Sequence, residues 1–323
     1  SDGDRNTVAR FSPLMASLPL LISLMSATFQ AQANNQLPDI GTAGVAALPI
    51  EQEVRYGNAF MRFARAGLPI IDDPVLSEYI DDLGQRLLTN ADRARFPFTF
   101  FLINDPSINA AAFLGGRVKV HTGLFLYADN ESELASVLAH EITHVTQRHI
   151  ARYMEAQASS SAMTLAGLVG SIALAVINPT AGIAALQTTL GLSMQSAINY
   201  TRDNEYEADR IGMKTLYDAG FDPMGMANFF QKLAAEYRYA SKPPEMLLTH
   251  PLPETRISEA RARAGSYGRR ALPPSLDFWL AKVRIQVRYG TESPQALLTY
   301  FDSRLQKGDH PRKDAATYGR APA

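Results

Sequence analysis

Five consecutive residues, His140-Glu141-Ile142-Thr143-His144, hold the densest chemistry in the chain. On a helix, residues four apart lie on one face, so the two imidazoles can reach one Zn²⁺ at roughly 2.0–2.1 Å. Glu141 stands beside them, able to take a proton from a water activated by that metal. With 6 histidines in 323 residues, chance supplies this pattern roughly 0.005 times per chain. The plainer alternative is a pair of solvated or core histidines, and the mid-helix placement weighs against it. The chemistry is hydrolysis by metal-activated water.

A catalytic zinc usually takes three protein ligands plus water. The chain has no cysteine, so no thiolate can serve, no disulfide framework exists, and a carboxylate is expected. Arg202-Asp203-Asn204-Glu205-Tyr206-Glu207-Ala208-Asp209 supplies candidates. Glu205 and Asp209 share a helix face, and Glu207 points away. Glu205 is expected as the third ligand, with Asp209 one turn on, orienting a ligand imidazole. Alone, this stretch would read as a solvated acidic face.

These residues need elements to position them. Helices are expected over Ile50–Ala66 and Asp73–Leu88, the latter started by Asp73-Pro74. Pro97–Ile103 alternates as a strand. Arg117–His121 alternates after Gly115-Gly116, which predicts a hairpin. Asn130, with Glu133 three residues on, starts a long helical pattern reaching Tyr153. A helix over Asn199–Ala219 closes at Gly220, and Asp222-Pro223 opens another to about Tyr239. His149, nine residues from His140, falls about 180° around a continuous helix and reads as structural. His121 reads as an exposed strand residue, His310 as a solvated linker residue.

From Ala156 to Thr201 there is no charged residue. Asn178-Pro179 divides this stretch into halves, Ala162–Ile177 and Ala181–Ile198, each short of the ~20 residues of a membrane span. A hairpin that dips into a membrane and an apolar cover over the cleft are both open. The Ser, Thr, Gln and Gly content favours the cover, with peripheral membrane contact through 156–201.

At the N-terminus, Arg5 and Arg10, the apolar run Leu14–Phe29 and Ala31-Gln32-Ala33 follow the order of a secretory signal, so residues 1–33 are expected to be removed. Residues 34–270 would form the hydrolase domain. From 271 to 323, Trp279, Tyr289, Ala296 and Phe301 suggest the truncated beginning of a helical repeat of the tetratricopeptide type; a helix pair capping the first domain is the alternative. The net charge of −1 conceals an excess of seven positive charges from Arg256 to the end. No nucleic-acid motif accompanies it, so no nucleic-acid partner is expected. Hydrophobic residues at 46% and charged residues at 20% exclude overall disorder.

The order His140-Glu141-x-x-His144, Glu205-x-x-x-Asp209, then His250-Pro251 with Arg256 resembles the gluzincin family of HtpX and the CAAX prenyl endopeptidase. Asn109-Ala110-Ala111-Ala112-Phe113, Gly115-Gly116 and Val118–Gly123 resemble that family's substrate-binding edge strand. The resemblance runs from about Leu48 onward. It implies an α+β fold: a helix-rich gluzincin metalloprotease domain with a small β-sheet. It further implies one Zn²⁺ per chain and endopeptidase activity in the periplasm of a Gram-negative bacterium. Misassembled outer-membrane β-barrel proteins and their assembly machinery are the implied partners.

In the expected mechanism His140, His144 and Glu205 hold zinc and Glu141 is the general base. Substrate adds as a strand along Val118–His121. His250, in a loop after Pro243-Pro244, either donates to the transition state or binds zinc as a fourth ligand, which would close the site. Two alternatives remain: a chaperone for barrel precursors with the zinc site switched off, and a zinc hydrolase of non-peptide substrates.

Overall fold

The computed structural model describes residues 48–92, 94, 97–156, 162–190 and 194–321. The signal segment expected at 1–33 lies outside the described residues. The order is α1 (Ile50–Gly67), α2 (Pro74–Leu88), β1 (Thr99–Ile103), β2 (Ala110–Phe113), β3 (Arg117–His121), α3 (Thr122–Tyr127), α4 (Glu131–Thr146) and α5 (His149–Ala156). There follow α6 (Ala162–Ile177), α7 (Pro179–Leu190), α8 (Met194–Asp218), α9 (Met224–Tyr239), α10 (Met246–Thr249) and α11 (Glu254–Tyr267). The last three helices are α12 (Leu276–Tyr289), α13 (Pro294–Lys307) and α14 (Lys313–Arg320). A helix-rich α+β architecture with one small sheet is what the sequence predicts.

Local chemistry accounts for the boundaries. Asp73 caps α2 through its carboxylate, which accepts from the N–H groups of Val75 and Leu76, with Pro74 at the first turn. Asn130 caps α4 by accepting from Glu133 N–H. Gly115 and Gly116 turn the hairpin between β2 and β3 at φ 73° and 70°, a region glycine enters without steric cost.

The sheet order corrects one expectation. It runs β1-β3-β2, with β3 parallel to β1 and antiparallel to β2. Val118–His121 is therefore the central strand, with both backbone edges used, and cannot accept a substrate strand. His121 is accordingly buried rather than exposed. The outer side of β1 is met by a bridge from Ile70 to Ile103, so β2 is the edge left for pairing. The alternation of 117–121 shows a two-faced strand, and that pattern is the same at an edge and at the centre.

A second correction concerns the helix expected to run unbroken to Tyr153. It divides at Arg148, whose φ is +55°. A non-glycine residue in that region is uncommon. It is held here by a buried ion pair, Arg148 Nη2 to Glu53 Oε1 at 2.6 Å, together with a hydrogen bond to Leu48 O.

The main core gathers α2, one face of the sheet, α4, α8, α9, α11 and α12. Gly212 lets α8 approach α4 closely, since a Cβ there would sit 3.2 Å from Ala139 O and His140 N. A second core lies on the other face, where α1, α5 and α6 pack on β1 and β2. The uncharged stretch forms the hairpin α6–α7, with α6 against β2 and α7 against α10. The hairpin thus lies against the edge strand β2. Among the described residues no helix is long and apolar enough to cross a membrane.

After Pro273-Pro274, α12 docks onto α2 and α3. Phe278 stacks on Phe125 at 5.5 Å between ring centroids, and Arg284 reaches Asp73 at 2.8 Å. Helices α13 and α14 gather a separate small cluster around Val283, Leu297 and Phe301.

Candidate metal centre

Helix α4 presents His140 and His144 one turn apart, and α8 crosses it with Glu205 and Asp209. The turn that follows α10 brings His250 over both. Among the described residues, His140, His144, Glu205 and His250 form one group whose donor atoms all lie within 4.8 Å of each other. His144 Nε2 is 2.9 Å from His140 Nε2 and 3.2 Å from Glu205 Oε1. His250 Nδ1 is 3.3 Å from His140 Nε2 and 3.1 Å from Glu205 Oε1. Donors placed tetrahedrally at the usual zinc distances would stand about 3.3 Å apart. Three imidazole nitrogens and a carboxylate aimed at one point at these separations suit a divalent cation.

The partners behind these groups fix their orientation. His140 Nδ1 lies 3.0 Å from Asp209 Oδ1, so its proton points to Asp209 and its Nε2 lone pair faces the cluster. Arg256 donates to Asp209 Oδ2 at 2.7 Å and pairs with Glu205 Oε2 at 3.0 Å. One guanidinium thus braces two carboxylates on adjacent turns of α8. The two acids are on one face, as the spacing predicts, and Glu207 points away.

Glu141 reaches past the imidazoles to the sheet. Its Oε2 accepts from Ala112 N–H at 2.9 Å. His121 donates its N–H to Asn109 O, so 109, 111 and 113 pair with β3, and the groups of 110 and 112 face away from it. Ala112 therefore spends its off-sheet N–H on Glu141. The other carboxylate oxygen, Oε1, is buried and makes no hydrogen bond, with His250 Nε2 3.3 Å away. An orphaned buried acceptor next to the donor cluster suits a group that takes up a proton during a reaction.

The electrostatics are those of a cation site. Burial pushes His140 down, but Glu205 and then Asp209 outweigh it and raise it to about 10. Burial takes His144 down to about 4 despite Glu205. Burial alone would raise Glu205, yet His250, His140, His144 and Arg256 hold it well below the usual carboxylate range. Two adjacent imidazoles shifted in opposite directions share one anionic field, and that field would equally favour a metal ion. Asp209 is also held low, by His140 and Arg256, against its burial. Glu141 is pushed up, chiefly by burial.

Each predicted site residue, His140, Glu141, His144, Glu205, Asp209 and His250, comes into this one cluster. In the sequence Ala112 stands only within the segment that resembles a substrate-binding edge strand and Arg256 only as part of the family motif, neither with an individual role, and Glu245 has none. Glu245 Oε2 accepts from Asn109 Nδ2 at 3.2 Å and Ser107 Oγ at 3.3 Å, and Met246 N–H donates to Ile108 O at 3.3 Å. These bonds tie the segment carrying His250 to the lead-in of β2. Behind them Lys119 and His121 are buried, Nζ to Nε2 at 3.0 Å. A small cleft beside β2 is lined by Ala112, Phe113, His144 and Val145.

Comparison with known proteins agrees with this geometry. The model of peptidase family M48 matches residues 74–264. The beta-barrel assembly-enhancing protease of Yersinia pestis is 49% identical over 312 residues, covering 95% of this chain and 64% of that protein. The protein of the same name from Escherichia coli K12 is 48% identical over 291 residues, covering 90% and 60%. The mitochondrial metalloendopeptidase OMA1 of Schizosaccharomyces pombe is 26% identical over 179 residues, 55% of this chain and 50% of that one. The chain thus spans under two thirds of the length of the first two relatives.

Proposed function

The chain belongs to peptidase family M48, and from that membership and the site geometry we propose that it is a zinc-dependent endopeptidase. The observation that carries the reading is Glu141, with one oxygen fixed by Ala112 N–H and the other buried, unbonded and beside four convergent donors. His140, His144 and Glu205 are the proposed zinc ligands, with His250 as the fourth donor in the arrangement described here. Zinc bound there supplies Lewis acidity toward the scissile carbonyl and the attacking water.

The chain's own residues do the rest. Substrate peptide adds along β2, whose off-sheet backbone groups face the cleft beside α4. Glu141 Oε1 takes the proton of the attacking water and passes it to the leaving amine, while Ala112 N–H keeps the carboxylate aimed. Asp209 and Arg256 hold His140 in the tautomer that leaves Nε2 free for metal. His250, lying between Glu141 and Glu205, fills the position that water and substrate need. The closed arrangement is therefore latent, and cleavage requires the loop after α10 to move His250 aside. Once moved aside, the same imidazole would serve as a donor to the oxyanion.

The relatives named for beta-barrel assembly support a role in outer-membrane protein quality control in the periplasm, acting on stalled or misfolded barrel proteins. An edge strand that pairs through its backbone suits such substrates, because it places little demand on sequence. We read α12–α14 as the opening of a helical repeat that would hold those partners, and α6–α7 as a cover capable of peripheral membrane contact. The closed His250 also supports a second reading, a holding role for barrel precursors with cleavage switched off. The test is Glu141→Gln in protein loaded with zinc. Cleavage of casein should fall at least a thousandfold with zinc retained, and a variant that keeps both zinc and activity would overturn the reading.

A further inference from the structure

The break at Arg148 returns His149 to the metal cluster by an unexpected route. On a continuous helix His149 would face away from His140. Instead α5 starts afresh at His149, and its ring lies against that of His144, with 4.8 Å between centroids and Nδ1 to Nδ1 at 2.8 Å. His149 Nε2 lies 3.2 Å from Glu207 Oε2, and Arg152 Nη1 donates to the same oxygen at 2.8 Å. His149 is buried.

Only one placement of protons satisfies this chain with Nε2 of His144 left for metal. A neutral imidazole that gives up one nitrogen as a ligand carries its proton on the other. His144 Nδ1–H then donates to His149 Nδ1. His149 Nε2–H in turn donates to Glu207, whose charge Arg152 balances. Every donor meets an acceptor, and the direction is uniform from cluster to surface. His140 has the same backing in shorter form, Asp209 braced by Arg256. Both histidines of the motif thus end on a carboxylate held by an arginine, and at His144 a second imidazole spans the gap.

We infer that His149 and Glu207 are positioning residues for the metal centre: a histidine relay that fixes the tautomer and ring orientation of His144 from the far side of the helix break. The inference rests on the reading that His140 and His144 hold zinc. The relay explains why Arg148 keeps its strained left-handed backbone under a buried ion pair to Glu53: without that turn His149 could not reach His144. It also gives Glu207, the acid that faces away from the cluster, a use.

The test is zinc affinity by chelator competition, with the thermal midpoint of the metal-free protein measured alongside. His149→Leu removes the acceptor for His144 Nδ1–H and is expected to weaken zinc binding about tenfold to a hundredfold. His149→Asn, whose carbonyl can accept the same proton, should recover most of that loss. A merely structural histidine would lower the metal-free midpoint equally in both variants and leave the affinity of the folded fraction unchanged. Glu207→Gln, at a half-exposed position, keeps the test available if His149→Leu does not fold; it should weaken zinc several-fold. Wild-type affinity in His149→Leu or Glu207→Gln, or equal loss in the Leu and Asn variants, would overturn the relay. Failure of the wild-type protein to bind zinc would instead overturn the metal reading on which it rests.

Discussion

His140 Nδ1 lies 3.0 Å from Asp209 Oδ1, and the guanidinium of Arg256 closes the other side of the same carboxylate. This contact decides which nitrogen of His140 is free. Asp209→Ala should weaken zinc binding about tenfold to a hundredfold, and Asp209→Asn, which keeps an acceptor, should lose less. Arg256→Ala removes the common partner of two buried carboxylates and should cost about 3–5 kcal/mol of stability, read by chemical unfolding of metal-free protein.

Ala112 directs an N–H off the sheet to Glu141, so proline can enter there without breaking the ladder to β3. Ala112→Pro should leave the fold and zinc content intact while kcat/KM falls about tenfold to a hundredfold, because the general base loses its anchor. An equal loss in a variant of central strand β3 that keeps the fold would argue against β2 as the substrate strand.

The Glu245 carboxylate holds the His250 segment to Ser107 and Asn109. A hydrogen bond to a charged group contributes about 1.5 kcal/mol or more, roughly a tenfold shift in an open–closed equilibrium. Glu245→Ala is therefore expected to raise casein cleavage up to about tenfold. In a His250→Ala background, where nothing remains to be displaced, the same change should have no effect.

Asp73 joins α2 to α12 by accepting from Arg284 at 2.8 Å and Arg288 at 3.3 Å. Burial alone would raise its pKa, but the Arg284 hydrogen bond and its other donors hold it below the usual carboxylate value. The sign follows from linkage. The folded state binds the proton more weakly, so the contact stabilises fully above the unfolded pKa of about 3.9 and is lost as pH falls below it. The single tryptophan, Trp279 on α12, reports the docking. Acid titration of its fluorescence should show a transition below about pH 4 in the wild type, and in Asp73→Asn the loosening should already be present at neutral pH without that acid step.

The ligands were legible because helical periodicity is local: four-residue spacing puts His140 with His144 and Glu205 with Asp209 before any tertiary contact forms. His250 required the family resemblance, since nothing in a proline-rich loop shows where it folds. What stayed hidden depended on tertiary context. Strand order is set by which segments pair on either side of Arg117–His121, and alternation is blind to that, so it points to β3 as the edge instead of β2. The break at Arg148 carries no glycine or proline to announce it. It is imposed by Glu53, 95 residues earlier, and with it went the chance of seeing His149 beside His144.

His140, His144, Glu205 and His250 are proposed to share one zinc ion. Diffraction from zinc-loaded crystals on both sides of the zinc absorption edge tests this most directly. One anomalous peak is expected, about 2.0–2.2 Å from the two Nε2 atoms, a Glu205 oxygen and His250 Nδ1. A protein that cleaves casein with no peak there, or with its zinc at another site, would contradict the account.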